Sequence, residues 1–325
     1  MLEVFLATID PLLTLFTCMA LGFVLKKAKI LPENATKVLS RLETWVFLPA
    51  LSFKTMSQYC RIELLGDNIV NMLFGCFSIA VCIIVALTLS RFFVKDKTSS
   101  ELGVYQYALA VANISYFGDP IVLALFGEEM LSYYKIFTLP FCIVIYTWAI
   151  NILSPRPEKK QNPLIKLINA PLVAMVAGII VGLMGIGRYI PSFLTSSLGS
   201  LSACMGPVAM MIGGLTIANY SIKEMLKNKK VYVASLLRLI VLPIAMVSLN
   251  YGVIKLLEAL FDLTVSNNVL IITFFATAAP IGLNTIVFPE AYGGNPKTGA
   301  AMATISNTLC IITLPILYSF LVTII

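Results

Sequence analysis

Long apolar segments separated by short polar ones occupy almost the whole chain. A helix that crosses a lipid bilayer needs roughly 20 predominantly apolar residues. By this criterion the chain contains ten predicted spans, numbered one to ten in order: 8–26, 36–57, 68–93, 103–126, 133–153, 164–187, 193–220, 231–257, 267–289 and 298–324. The pattern therefore predicts an all-α polytopic membrane protein with ten transmembrane helices, in which little of the chain is left for a soluble domain.

Composition and charge add a predicted orientation in the membrane. Hydrophobic residues make up 59% of the chain, charged residues 12%, and the net charge is +7. Cytoplasmic loops are rich in Lys and Arg, and most basic residues here lie near loops on one side of the predicted spans. The few on the other side are Lys54, Arg61, Lys135, Arg188 and Lys255. We therefore expect a multi-pass protein of the plasma or inner membrane, with both termini outside the cytoplasm and no nucleic acid partner.

Two of the apolar segments are broken by polar and helix-breaking residues. The first break is Asn113–Pro120 in span four, and the second is Pro280–Asn284 in span nine. An interrupted helix is tolerated inside a bilayer only where protein or a water-filled cavity supplies partners for the backbone. Breaks at corresponding places in two halves are typical of secondary transporters, whose substrate binds between them.

An internal repeat follows from the positions of proline and glycine. The residues of the first half and their counterparts in the second are Pro11 and Pro171, Gly22 and Gly182, Pro32 and Pro191, and Pro49 and Pro207. The order predicts a first repeat over 1–153, a cytoplasmic linker at 154–163 and a second repeat over 164–325. Because each repeat holds five spans, an odd number, the second must be inverted in the membrane relative to the first.

The residues at the two breaks predict a site for an organic anion. Amide side chains at Asn113 and Asn284 can both donate and accept hydrogen bonds, and the N-terminus of each half-helix favours negative charge. The expected substrate-binding residues are Asn113, Asn284, Gly118, Pro120, Pro280 and Gly282. The prolines break the helices, and the glycines permit close approach of the backbone. The alternative for both asparagines is that they only satisfy the interrupted backbone.

Asp119 is the one acid that the predicted spans place deep inside a helix. An intramembrane carboxylate is a functional candidate by default. Asp119 could carry a proton, bind a cation that accompanies the substrate, or disfavour anionic substrates; alternatively, it lies at a wet cavity edge or caps the following half-helix. The other charges, Arg41, Glu43 and Lys54, are expected to reach the membrane interface, and Arg238 to pair or do the same. Four aromatic residues are expected at the interface as well: Trp45, Tyr133, Tyr134 and Tyr251.

Taken together, the motifs resemble those of the auxin efflux carrier family, which includes the PIN-formed exporters of plants and bacterial carriers for malate. The resemblance covers the whole chain and rests on these residues: Trp45-Val-Phe-Leu-Pro49-Ala-Leu, Asn113 with Gly118 and Pro120, Met210-Met-Ile-Gly213-Gly-Leu, Ala279-Pro280 with Asn284, Ile286-Val-Phe-Pro-Glu-Ala-Tyr-Gly293, and Thr313-Leu-Pro315. The central loop is shorter than that of the plant exporters, and Asp119 replaces a residue that is usually apolar in the family.

The resemblance implies a fold similar to sodium/proton antiporters and bile-acid symporters. In that fold spans four and nine cross at their breaks. Spans one, two, six and seven form a scaffold, against which spans three to five and eight to ten move like an elevator. The segment around Pro49 would form the scaffold wall facing the site, and the protein would be a homodimer in contact with membrane lipids. We therefore expect a carrier that exports small organic acids, with proton or sodium coupling left open.

Other classes are less compatible with the residues. An intramembrane aspartyl protease, suggested by Tyr116-Phe-Gly-Asp119, needs two carboxylates in one site, and no second acid is predicted inside a span. The chain has no histidine, the commonest general base, and its seven scattered cysteines form no metal-binding pattern. We therefore expect no enzyme activity, cofactor or metal. A passive channel, whose pore broken helices could also line, and a transporter-like sensor remain the alternatives.

Overall fold

A computed structural model describes residues 1–96, 99–153, 167–292 and 294–324. Its α-helices are α1 Leu2–Lys27, α2 Ala35–Leu42, α3 Leu48–Tyr59, α4 Leu65–Phe93, α5 Ser100–Ala110, α6 Asp119–Val144, α7 Ile150–Leu153, α8 Ala170–Leu183, α9 Ser192–Ile217, α10 Ile222–Met225, α11 Lys229–Leu236, α12 Leu242–Phe261, α13 Asn268–Ala278, α14 Asn284–Tyr292 and α15 Pro296–Leu321. The predicted linker 154–163 and Gly293 lie outside the described residues.

The described helices confirm the all-α class and the membrane character of the chain. Six helical segments are long and apolar enough to cross a membrane: Leu2–Lys27, Ile62–Phe93, Ile114–Leu153, Ser192–Ile217, Lys229–Phe261 and Pro296–Leu321. Two shorter apolar helices are α8 and α13. Over the same residues there is no β-strand, only an isolated antiparallel bridge between Ala112 and Ile281.

The 40-residue segment Ile114–Leu153 reverses its direction at Gly127. This glycine has φ 80° and ψ −174° inside α6, a conformation that residues with a Cβ rarely adopt. A straight helix would separate Asp119 from Lys135 by about 24 Å, at 1.5 Å per residue. Their side chains instead lie 2.6 Å apart. The two arms of α6 therefore pack against each other, at the boundary predicted between spans four and five.

Wide π-helical turns precede three of the prolines that interrupt the helices. The turns are Glu43–Phe47 before Pro49, Ile114–Gly118 before Pro120, and Leu237–Val241 before Pro243. Proline has no N–H and its ring crowds the preceding turn, and π turns of this kind are frequent at functional sites. Glu43, the first break and Arg238 therefore all lie where the helix is locally widened.

Two pairs of helices pack closely at glycines, Gly22 and Gly182. α1 lies along α9, where a Cβ on Gly22 would come within 2.3 Å of the carbonyl oxygen of Met211. α3 lies along α8, where a Cβ on Gly182 would come within 2.5 Å of the Met56 carbonyl oxygen. Both backbones approach so closely because glycine has no side chain, which is a common basis of helix packing in membranes.

Candidate functional site

The two helix breaks lie directly against each other. Helix α5 ends at Ala110, Val111 is extended, and the backbone N–H of Asn113 donates to the carbonyl oxygen of Pro280 at 2.8 Å. The bridge between Ala112 and Ile281 extends this contact. The second break therefore supplies a hydrogen-bond acceptor to the interrupted backbone of the first, as backbone inside a membrane requires.

Helix α15 and the second break complete this backbone network. The N–H of Ile281 donates to the Ser306 hydroxyl at 3.0 Å, and the Thr285 hydroxyl donates to the carbonyl of Gly282 at 2.8 Å. Ser306 is fully buried. Ser306 could not be singled out from the sequence, because a single serine within an apolar span is more often a packing residue.

A small cavity of about 80 Å³ lies between the breaks and the start of α3. Its polar lining includes both predicted asparagines, together with Thr44, Ser115, Tyr107, Tyr116 and Tyr146. The Nδ2 of Asn284 donates to the Tyr107 hydroxyl at 2.9 Å. The half-buried amide of Asn113 makes no side-chain hydrogen bond within the described residues. Asn113 is therefore the amide that remains free to bind a ligand in this cavity.

The two glycines at the breaks differ in the space around them. A Cβ on Gly118 would lie 2.0 Å from the hydroxyl oxygen of Tyr134, so a side chain there would displace this hydroxyl from its hydrogen bond to Ile114. A Cβ on Gly282 would lie 3.6 Å from the nearest atoms, the Cα of Asn113 and the hydroxyl oxygen of Tyr107. That is an ordinary van der Waals distance, so no protein contact requires glycine at position 282.

The predicted prolines have separate positions around the cavity. Pro120 lies in the first turn of α6 and is buried, and a Cβ on Gly206 would lie 3.0 Å from its ring. Pro280 contributes its carbonyl oxygen to Asn113. Pro49 is half-buried at the start of α3, and from its helix Leu48 contacts the cavity.

Asp119 forms a buried ion pair with Lys135. The carboxylate Oδ2 lies 2.6 Å from Nζ, and the two side chains are 3% and 6% exposed. Lys135 also donates to the Ser52 hydroxyl of α3 at 3.3 Å. The prediction that Lys135 lies near a loop was wrong, because the reversal of α6 at Gly127 brings Lys135 back beside Asp119. A role of Asp119 in coupling or selectivity stays a prediction.

Glu43 lies at the start of the π turn before α3 and is completely buried. Neither carboxylate oxygen has a hydrogen-bond partner among the described residues. The prediction that Glu43 reaches the membrane interface was therefore wrong, because its π turn packs against α8 and α9. A second acid thus does lie inside a predicted span, contrary to the sequence analysis.

Arg238 is also completely buried, in the π turn before α12. Its Nη1 donates to the carbonyl oxygen of Leu109 at 3.2 Å, while Nε and Nη2 have no partner among the described residues. Leu109 is next to the last residue of α5, and the C-terminus of a helix favours a cation. The expectation of ion pairing or of reaching the interface was wrong, since Arg238 caps this helix end instead.

Tyr134 is a further residue whose role the sequence did not indicate. Its hydroxyl donates to the carbonyl oxygen of Ile114 at 3.0 Å, and its side chain is fully buried. It was predicted at the membrane interface, but the reversal of α6 directs it onto the first break. The interaction fixes the turn that follows Asn113.

Paired helix breaks beside an internal polar cavity, in an apolar all-helical chain, define a polytopic membrane transport protein. The family described as membrane transport protein matches residues 7–164 and 160–318. The chain belongs to this family, which is the auxin efflux carrier family that its motifs resemble.

Two archaeal proteins are similar over most of the chain. One, named an uncharacterized transporter, comes from Methanocaldococcus jannaschii and is 26% identical over 321 residues, covering 94% of this chain and 96% of its own. Another of the same name, from Methanothermobacter thermautotrophicus, is 24% identical over 256 residues, covering 76% and 80%. Family and relatives therefore indicate a transporter rather than an enzyme.

Proposed function

We propose that the protein is a carrier for small organic carboxylates, which bind between the two helix breaks. The observation that carries this proposal is the free amide of Asn113 in the cavity that both breaks line. A polar group that is half-buried without a protein partner is suited to a polar ligand. Asn284, at the other break, faces the same cavity.

The start of the helix after Asn113 favours an anion. The side chain of Asn113 does not cap this helix, and the first N–H groups of a helix have no acceptor within it. At the second break, by contrast, the N–H groups of Thr285 and Ile286 donate to the carbonyls of Gly282 and Leu283. After Asn113 the N–H of Ile114 donates to the Ala112 carbonyl. The available N–H groups are therefore those of the next residues, from Ser115 to Phe117, which can bind a carboxylate.

The cavity favours a small substrate. Pockets for drug-sized ligands usually measure about 300–1,000 Å³, whereas this cavity measures about 80 Å³. A mono- or dicarboxylate of a few carbon atoms fits the polar lining and this size better than a large aromatic acid. The direction of transport that we propose is export.

We further propose ten spans arranged as two inverted repeats, with spans four and nine crossing at their breaks. The equivalent contacts of Gly22 and Gly182 support the repeat, because inversion exchanges span one with six and seven with two. Spans one, two, six and seven would be the scaffold, and α6 would move with the substrate. Both termini would lie outside the cytoplasm, and the carrier would be a homodimer.

Counterflow in proteoliposomes tests this function. Vesicles that contain the protein are loaded with one unlabelled carboxylate, amino acid or amine, and entry of the labelled compound is followed. We expect saturable counterflow with small carboxylates and none in protein-free vesicles. Counterflow of amines or amino acids alone would contradict the substrate class. Flux without saturation or counterflow would indicate a channel, and no flux of any compound would favour a sensor.

A further inference from the structure

Glu43 is a buried acid without a compensating partner. Its side chain is 0% exposed, and both carboxylate oxygens lack a hydrogen bond within the described ranges. A buried carboxylate that is ionised, unpaired and without hydrogen bonds is strongly unfavourable. This arrangement is stable when Glu43 holds a proton.

The groups around Glu43 provide no cation to replace that proton. Its electrostatic neighbour is Asp119, which is itself paired with Lys135. Helices α8 and α9, which pack against its turn, contain no charged residue. Helices α2 and α3 also pack against the turn of Glu43. The basic residues of α2, Lys37 and Arg41, are exposed, and Lys54 of α3 pairs with Glu128. The other titratable groups on the packed helices are Tyr59 on α3 and the exposed Cys204 on α9.

The proposed substrate cavity lies next to Glu43. Thr44, the next residue, lines the cavity, and so does Tyr116. The Thr44 hydroxyl donates to the Ser40 carbonyl at 2.8 Å, and Tyr116 interacts electrostatically with Glu43. The cavity that would hold a carboxylate therefore lies beside Glu43, with the hydroxyl-bearing side chains of Thr44 and Tyr116 in its wall.

The charge of Glu43 also decides the net charge around the site. The charged side chains buried in the described part of the chain are Glu43, Asp119, Lys135 and Arg238. They cancel when all four are ionised. When Glu43 is protonated, the charge of Arg238 is left over, and it balances one carboxylate of a bound substrate.

We propose that Glu43 is a proton-binding site linked to the substrate: its protonation allows a carboxylate to bind, and its ionisation releases the carboxylate. The proposal rests on the carrier function proposed above. A proton fits better than a sodium ion, because a metal ion needs several oxygen ligands. Glu43 offers one carboxylate, and Asp119, the acid that interacts with it, is already paired with Lys135.

The test compares Glu43→Gln, which mimics a permanently protonated side chain, with the unmodified protein. Counterflow of a carboxylate that is fully ionised at every pH is measured with the same pH on both sides. In the unmodified protein the apparent affinity should fall by about tenfold per pH unit once Glu43 ionises, since one proton binds with each carboxylate. The apparent affinity of Glu43→Gln for the carboxylate should be the same at every pH. Glu63→Gln, at an exposed acid, should retain the unmodified profile.

Two further measurements keep the proposal separate from folding defects and from the carrier function. Glu43→Asp keeps a titratable group and should retain a falling profile with a shifted midpoint. Infrared spectra of the protein in lipid should contain the C=O stretch of a protonated carboxylic acid, and Glu43→Gln should lose it. If no carboxylate is transported, this band still tests Glu43. An unchanged pH profile in Glu43→Gln, or a spectrum without the band, would overturn the proposal, and so would a sodium requirement in place of the pH dependence.

Discussion

The carboxylate of Asp119 lies 2.6 Å from the ammonium group of Lys135, across the reversal of α6 at Gly127. Removing one partner of a buried ion pair typically costs about 3–5 kcal/mol, because it leaves the other charge uncompensated. Replacing both partners is often nearly neutral. We therefore expect Lys135→Met to lower the free energy of unfolding by several kcal/mol, and the double variant Asp119→Asn/Lys135→Met to regain most of that loss.

Thermal unfolding in detergent checks this prediction. Lys255→Met is a suitable control, because its ion pair with Glu258 is exposed and such pairs contribute about 0–1 kcal/mol. A double variant as unstable as Lys135→Met would mean that packing, not charge compensation, decides the stability of α6.

The free amide of Asn113 leads to a prediction about substrate affinity. A hydrogen bond to a charged group contributes about 1.5–3 kcal/mol, which corresponds to roughly 10- to 100-fold in affinity. Asn113→Ala should weaken the apparent affinity for a carboxylate by this factor in counterflow, with unchanged amounts of protein in the membrane. Asn151→Ala is the matched control, since Asn151 is exposed on α7. Equal affinity of Asn113→Ala and the unmodified protein would remove Asn113 from the site.

The helix breaks could be predicted from sequence because their cause is local. Proline removes an N–H and crowds the preceding turn wherever it stands in a helix, so Pro120 and Pro280 indicated both breaks. That the breaks contact each other followed only from the family resemblance. The hydrogen bond from Asn113 to the Pro280 carbonyl depends on the packing of distant helices, which no local pattern contains.

The buried charges could not be placed from sequence for the same reason. Glu43 and Lys135 stand near the ends of apolar segments, where charged side chains usually reach water. The π turn before α3 and the reversal at Gly127 place both inside the protein. Arg238 caps the end of α5, whose last residue, Ala110, lies 128 positions earlier in the sequence. Which helix end lies beside an arginine is a property of the fold alone.

Because the surroundings of Gly118 and Gly282 differ, an added methyl group should affect stability at Gly118 and transport at Gly282. Gly118→Ala should destabilise the protein by about 1–3 kcal/mol, the usual cost of overpacking, because the Tyr134 hydroxyl lies 2.0 Å from the new Cβ. Gly282→Ala should fold normally but narrow the cavity, so counterflow should weaken most for the larger carboxylates. Melting temperatures and a carboxylate size series check both effects. Normal stability of Gly118→Ala, or a size-independent effect of Gly282→Ala, would contradict this account.

The ion pair between Lys54 and Glu128 joins α3 to α6 beside the reversal at Gly127. In the proposed elevator, α3 belongs to the scaffold and α6 moves, so the two side chains must separate in each cycle. A cleavable bifunctional thiol reagent that links Lys54→Cys to Glu128→Cys should abolish counterflow, and cleavage of the link should restore it. The exposed native thiols Cys76 and Cys204 are first replaced by serine, and counterflow is measured before linking, to separate loss of the ion pair from the restraint.

The matched control links Lys255→Cys to Glu258→Cys. These residues lie three positions apart on the single helix α12, so the link restrains no movement between helices. Counterflow of this variant should be unaffected by the reagent. One outcome is that the variant with cysteines at positions 54 and 128 is cross-linked completely and still transports at the full rate. That result would mean that α3 and α6 stay together during transport. The elevator would then be excluded, and the substrate would have to gain access by a smaller movement around the two breaks.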